Sequence, residues 1–310
     1  MSDVINKKRK SNPPSAPFRR SKVVLLGDSI TQLSFSAKLS GWGTYIADVY
    51  QRRCDVFNRG MSGYNTDWYL QYLSTEEGKY DVFDSLTNNG VEDGVSDVKL
   101  VTIFFGANDQ SCEKLNRRHH VPLPKFQSNL KEIVNLCREN YGEKVRIVLI
   151  TPPPVHHDSR LKYQVDRYGD KATGELERNM ELASQYSEAV KAVAKELGYP
   201  CLNIYQSMQD SEPGAGEKWS KYLSDGLHLS AEGNIFVGKE LKKLIDEVYP
   251  EITINPCPYT ELTGNWGNSA TKGGEAFGSE KGMGPWHDEI DHTEAEKSFQ
   301  EHTNKKMKTA

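Results

Sequence analysis

No two cysteines in this chain form a C-x-x-C pair; the five stand singly at 54, 112, 137, 201 and 257. Structural zinc sites need closely paired thiolate or imidazole ligands, so no metal is expected. An odd, scattered set also fits reduced thiols in the cytoplasm better than a disulfide framework. Positive charge is not in excess. Lys+Arg total 39 against 43 Asp+Glu, a formal net charge of −4. That leaves no overall basic field to hold nucleic acid. Long apolar runs are missing too. None approaches the roughly 18 residues of a membrane span, so no stable membrane association is expected. The start, "MSDVINKKRKSNPPSAPFRR", has no apolar stretch of the secretory-signal kind. Its run Lys7-Lys8-Arg9-Lys10 has a composition read by nuclear import, but solvated basic termini share it. The expected compartment is the cytoplasm. No internal repeat is present.

What is there alternates. Apolar, β-branched runs recur at 22–27, 54–58, 98–106, 144–151 and 200–205. None alternates apolar with polar residues, so each reads as a strand of a parallel sheet buried on both faces. Helical spacing fills the intervals at 41–53, 124–140, 176–198 and 230–249. Gly198 closes the third of these helices, and Ser230 is placed to cap the fourth. Strand-helix alternation predicts a doubly wound α/β sheet with helices on both faces.

Two stretches stand apart. Residues 74–97 are acidic and turn-rich and read as a surface excursion, a candidate entrance rim. From about 255 the chain is rich in glycine, poor in aliphatics and aperiodic. Such a composition buries too little apolar surface to offset ordering entropy, so it is expected to be disordered. Trp266 and Trp286 are its exceptions, candidates for a docking segment. The expected division is a polar extension at 1–20, a catalytic domain at 21–250 and a tail at 251–310.

In a parallel sheet the strand C-termini share one edge, where α/β folds keep their sites. After the first strand stands Asp28-Ser29, and after the second "NRGMSG" with Gly60. After the third stands "GAND" with Asn108, and before the last helix "SDGLHLS" with Asp225 and His228. A serine needs a base to become a nucleophile, and a histidine three residues past an aspartate supplies one with its tautomer fixed. Ser29 N–H, Gly60 N–H and the Asn108 amide are candidate donors to an oxyanion. Each residue also has an ordinary reading. Asp28 or Ser29 can cap a helix, Gly60 and Asn108 suit turns, and His228 can pack on the last helix. Leu33 and Phe35 either line an acyl pocket or fill the core. Trp42, between two glycines, reads as helix-sheet packing. His119-His120 and His156-His157 lack a carboxylate at a favourable spacing and are weaker candidates, for base or metal alike.

Taken in order, "GDSIT", "NRGMSGYNT", "GAND" and "DGLHLS" resemble the four blocks of the SGNH hydrolases, or GDSL esterases/lipases, over roughly 21–250. "VTIFFGANDQ", "ITPPPV" and "YLSDGLHLSAEGN" resemble the isoamyl acetate-hydrolysing branch. The resemblance implies a flavodoxin-like three-layer αβα fold whose five parallel strands run in the order 2-1-3-4-5. It implies Ser29 as nucleophile, Asp225 and His228 as the rest of a triad, and Ser29, Gly60 and Asn108 as the oxyanion hole. Ile30 stands where the family's name motif has leucine. The implied activity is cofactor-independent hydrolysis of a small-molecule ester, with acetate esters favoured. Lipase, thioesterase and sugar deacetylase activities are the alternatives within the family. A flavodoxin-like nucleotide- or flavin-binding module is the alternative outside it. That module needs a phosphate-cradling turn, whereas "GDSITQ" places an anion there. No G-x-S-x-G elbow of the α/β-hydrolase kind is present.

Overall fold

The computed structural model describes residues 20–51, 53–87, 97–172, 174–211, 217–253, 291 and 293–309. The basic run at Lys7, the middle of the acidic stretch, Cys257, Trp266 and Trp286 lie outside them.

Five strands form one all-parallel sheet. They are β1 (Ser21–Gly27), β2 (Cys54–Gly60), β3 (Val98–Phe104), β4 (Arg146–Ile150) and β5 (Cys201–Leu202), in the order β2-β1-β3-β4-β5. This is the expected flavodoxin-like order. Its consequence is a switch point between β1 and β3, where the direction of winding reverses and a crevice opens. The register brings the ends of three strands level there: Gly27 lies opposite Gly60 on one side and Phe104 on the other.

The helices in chain order are α1 (Ser29–Gln32), α2 (Trp42–Val49), α3 (Thr66–Leu73), α4 (Glu76–Lys79), α5 (Glu113–Asn116) and α6 (Leu123–Tyr141). Then come α7 (His157–Tyr168), α8 (Met180–Leu197), α9 (Ile204–Asp210), α10 (Ala231–Val248) and α11 (Ala295–Thr309). One apolar layer joins Val23, Leu25, Leu100, Val148 and Ile150 to α2 and α10 through Trp42, Ile46, Val237 and Leu241. The other joins Val24, Leu26, Val101, Ile103 and Leu149 to α3, α6 and α8 through Tyr69, Phe126, Ile133 and Val190. Successive residues of one strand feed opposite layers, and both layers are apolar. That is why the strands read as unbroken apolar runs.

Several expectations need correction. The last strand is two residues long, because Asn203 turns inward as a cap and starts α9, accepting from Gln206 N–H at 3.2 Å. The stretch from 74 is a surface excursion only in part, with Glu76, Glu77 and Tyr80 exposed. Val82, Phe83 and Leu86 are fully buried in the second layer, and Phe83 packs on Tyr141 at the far end of α6. Lys22, at the opposite end of β1 from Gly27, donates to Leu86 O at 2.7 Å. The segment therefore seals the base of the sheet. The domain also continues past 250. A turn at Pro250–Ile252 returns Ile252 to the core, and Glu251 pairs with Arg146. Within the expected tail, Ala295–Thr309 is helical. That segment holds no glycine or proline, and Lys297 pairs with Glu294 at 2.8 Å. Glutamate, lysine and glutamine favour a helix once glycine stops interrupting them.

Candidate active site

The first strand ends at Gly27, and Asp28 then caps α1: its Oδ1 accepts from Ile30 N–H at 2.9 Å. The ordinary reading of Asp28 is thus correct. The cap also makes Ser29 the first helical residue, whose backbone N–H has no partner within the helix. Trp42 fixes α1 from behind. Its ring is buried against Phe104, and its Nε1–H donates to Ile30 O at 3.2 Å.

Ser29 Oγ lies 2.9 Å from His228 Nε2, and His228 Nδ1 lies 2.8 Å from Asp225 Oδ2. Asp225 is held in turn by its own loop. Its Oδ1 accepts from Leu227 N–H at 3.0 Å and His228 N–H at 2.7 Å. Burial alone would raise the Asp225 pKa, but the bonds and charge of His228, with Arg160, outweigh it and lower the value to about 2. The loop closes through Gly226, at φ +82°, against the start of α7. A Cβ there would stand 2.5 Å from Arg160 N and 2.6 Å from His156 O, so only glycine fits. Ser230 caps α10 just beyond, accepting from Gly233 N–H at 3.1 Å.

On the other side of Ser29, Gly60 ends β2 against α1. A Cβ would lie 2.2 Å from Gln32 N, so the close approach requires glycine. The Gly60 N–H donates to Asn58 Oδ1 at 2.9 Å. Asn108 Nδ2 donates to Tyr64 O at 2.8 Å, which uses one of its two hydrogens. Its Oδ1 accepts from Arg178 Nη2 at 3.0 Å, so the amide orientation is set by a buried cation. Leu33 and Phe35 are 39 % and 41 % exposed, which removes the core-filling reading. His156 and His157 do have carboxylate neighbours, Glu217 at 3.0 Å and Asp158 at 3.1 Å. The His156 Nδ1 nevertheless serves the α7 cap with Ser159.

Two acids behind the site are held near neutrality. Asp28 is raised to about 6 and Asp109 to about 7, both chiefly by burial. Asp109 Oδ1 accepts from Thr66 N–H at 2.9 Å and Thr66 Oγ at 2.5 Å, which ties α3 to the end of β3. A carboxyl whose folded pKa lies above its unfolded value is favoured neutral by the fold. It costs nothing below the unfolded pKa of about 4 and progressively destabilises as pH rises to the folded value. Asp109→Asn keeps the acceptor and removes that cost. Its thermal midpoint is therefore expected to gain on wild type between pH 4 and 7 and to hold a constant lead above. A lead independent of pH in thermal melts would contradict this.

Sequence reasoning missed three charged residues here. Arg160 in α7 donates from Nη1 to Asp225 Oδ2 at 3.3 Å and from Nη2 to Glu177 Oε1 at 2.6 Å. Arg178 donates from Nη1 to the same Glu177 oxygen at 2.8 Å and from Nε to Ala107 O at 2.6 Å. The expected helix from 176 begins only at Met180, where Asn179 caps it by accepting from Leu182 N–H at 2.9 Å. Glu177 and Arg178 thus precede α8 and turn inward. An asparagine before an apolar helical stripe was the available signal.

The GDSL-like lipase/acylhydrolase family model matches residues 25–234. The chain belongs to the GDSL, or SGNH, hydrolases. A GDSL esterase/lipase of Arabidopsis thaliana is 38 % identical over 232 residues, covering 74 % of this chain and 87 % of its own. The isoamyl acetate-hydrolyzing esterase 1 homolog of Homo sapiens is 38 % identical over 226 residues, covering 73 % and 82 %. Among solved structures, the lipase/acylhydrolase from Enterococcus faecalis superposes with a TM-score of 0.51 at 25 % identity, covering 73 % of this chain and 96 % of that one. As a member of this family the chain is an ester hydrolase. All of the residues singled out as its site, Ser29, Gly60, Asn108, Asp225 and His228, fall within the matched GDSL span.

Proposed function

We propose that the protein is a serine esterase that cleaves small, short-acyl carboxylic esters through an acyl-enzyme on Ser29. The observation that carries this is the unbroken chain from Ser29 Oγ through His228 to Asp225, at 2.9 and 2.8 Å. His228 accepts the Ser29 proton as Oγ attacks the ester carbonyl, and Asp225 stabilises the imidazolium that forms. His228 returns that proton to the leaving alcohol. It then deprotonates a water, whose attack on the acyl-enzyme releases the acid and restores Ser29. The oxyanion receives the Ser29 N–H and the second hydrogen of Asn108 Nδ2. Gly60 is the third donor, its N–H divided between Asn58 Oδ1 and the oxyanion. The Asp28 cap holds α1, which begins at Ser29, and Arg178 holds the Asn108 amide, so these donors need little reorganisation as charge develops.

Two things support the substrate class. Relatives at 38 % identity carry the name isoamyl acetate-hydrolyzing esterase 1 homolog. Among the described residues, the segment 80–86 seals the base of the sheet instead of covering the site. A fitted small acyl subsite loses about 1–3 kcal/mol for each methylene too many. The test combines organophosphonate labelling with a series of acyl esters of one alcohol. Peptide mapping is expected to find the adduct on Ser29, and kcat/KM to fall from acetate through butyrate and octanoate to palmitate. An adduct on another serine overturns the nucleophile. A rising series overturns the short-acyl assignment and makes the protein a lipase.

A further inference from the structure

The proposed machinery has two halves, an oxyanion donor after β3 and an acid-histidine turn before α10. They sit on different segments, and something must hold them in register. We infer that the buried chain Arg178–Glu177–Arg160 is a strut between them, and that its members are positioning residues for Asn108 and Asp225. The inference rests on the proposed roles of those two residues.

The contacts run without a gap. Asn108 Oδ1 accepts from Arg178, Arg178 and Arg160 both donate to Glu177 Oε1, and Arg160 donates to Asp225 Oδ2. The side chains are only 6 %, 12 % and 5 % exposed for Arg178, Glu177 and Arg160. Charges so far from water persist only when paired. Here two guanidinium groups meet two carboxylates, Glu177 and Asp225, so the set is balanced. Burial opposes ionisation of Glu177, yet the flanking arginines outweigh it and hold its pKa below the usual carboxylate range.

The geometry also shows what each member does. An amide that must present N–H to an oxyanion has to keep its oxygen turned away. Arg178 Nη2 binds that oxygen, while its Nε anchors the backbone one residue earlier, at Ala107 O. The Glu177 carbonyl accepts from Cys112 N–H at 2.6 Å and fastens the same loop from its other end. Arg160 binds the same Asp225 oxygen that faces His228, and α7 is docked on that turn by His156 N–H to Gly226 O at 3.0 Å. A planar, forked guanidinium holds two acceptors in fixed directions, whereas a lysine ammonium is a compact point charge with freely rotating donors.

The test is a double-mutant cycle on the full chain, read as kcat and KM for an acetate ester. Asn108→Ala is expected to lower kcat about 100-fold, the usual loss for one oxyanion donor. Arg178→Gln is expected to lower kcat roughly 10- to 50-fold with KM within about twofold, because it frees the amide to rotate. The two together are expected to fall clearly less than the product of the two single losses, since much of what Arg178 does passes through that amide. Glu177→Gln is expected to lower kcat about 10-fold by loosening both arginines. If Arg178→Gln does not fold, Arg178→Lys, which keeps the buried charge, takes its place and is expected to lose kcat likewise. Multiplying losses in the cycle, or full kcat in Arg178→Lys, overturns the strut. An Asn108→Ala enzyme with unchanged kcat overturns the oxyanion assignment instead, so the two failures are distinguishable.

Discussion

Ser29→Ala is expected to lower kcat by about 10⁴-fold or more, to the level that binding and oxyanion donors alone can sustain. The expectation follows from position and not only from chemistry. Ser29 is the first residue of α1, fastened by the Asp28 cap and backed by Trp42, so its replacement leaves the frame standing. The far-UV spectrum and the thermal midpoint are therefore expected to match wild type within the few tenths of a kcal/mol of a small polar change. Covalent labelling by an organophosphonate should vanish in the variant. A variant that keeps a tenth of wild-type turnover would show that another group carries the acyl.

Asp225→Asn is expected to lower kcat about 10³- to 10⁴-fold with KM little changed, by the loss of tautomer control. Oδ2 of Asp225 faces two donors, His228 Nδ1 and Arg160 Nη1. An amide nitrogen there would meet Arg160 as donor against donor and demand the wrong tautomer of the imidazole. An amide oxygen there would instead turn the nitrogen toward the N–H groups of Leu227 and His228. Either orientation leaves a buried donor unsatisfied, a loss of about 1–3 kcal/mol in stability as well. The pH dependence separates this acid from the others. A depressed pKa contributes stability that is present above the unfolded value of 3.8 and is lost as pH falls through about 2. Acid inactivation already complete at pH 4 is therefore not protonation of Asp225. Variant kcat within tenfold of wild type would remove Asp225 from the mechanism.

The sheet was legible because its central strands, β1, β3 and β4, are buried on both faces. A run as short and as unbroken as "KVVLLG", closed by a glycine turn, suits a doubly covered strand and is too short for a core helix. The five proposed site residues were legible because each follows a strand or precedes a helix, and parallel topology brings such ends to one edge. The strut was not. Arg178 reaches Asn108 across 70 residues and Arg160 reaches Asp225 across 65. In "LERNMELASQ" both Glu177 and Arg178 continue a helical pattern, and local spacing carries no sign of a partner so distant. Composition misled at 74–97, where acidic and turn-forming residues outnumber Val82, Phe83 and Leu86 and hide that these three complete the core.

The bond between Ser29 and His228 spans 199 positions of the chain. During synthesis the ribosome makes the proposed nucleophile early and its proposed base late, with α10 still to come after that. A serine without a base is a poor nucleophile, so on the proposed mechanism an emerging or prematurely stopped polypeptide carries Ser29 in an inert form. On the proposed mechanism, ester cleavage reports on a finished domain: all five strands must be laid down and the turn before α10 seated before the first turnover. A protease cut that releases the segment from Ser224 onward is expected to return the remainder to silence, even if the sheet survives.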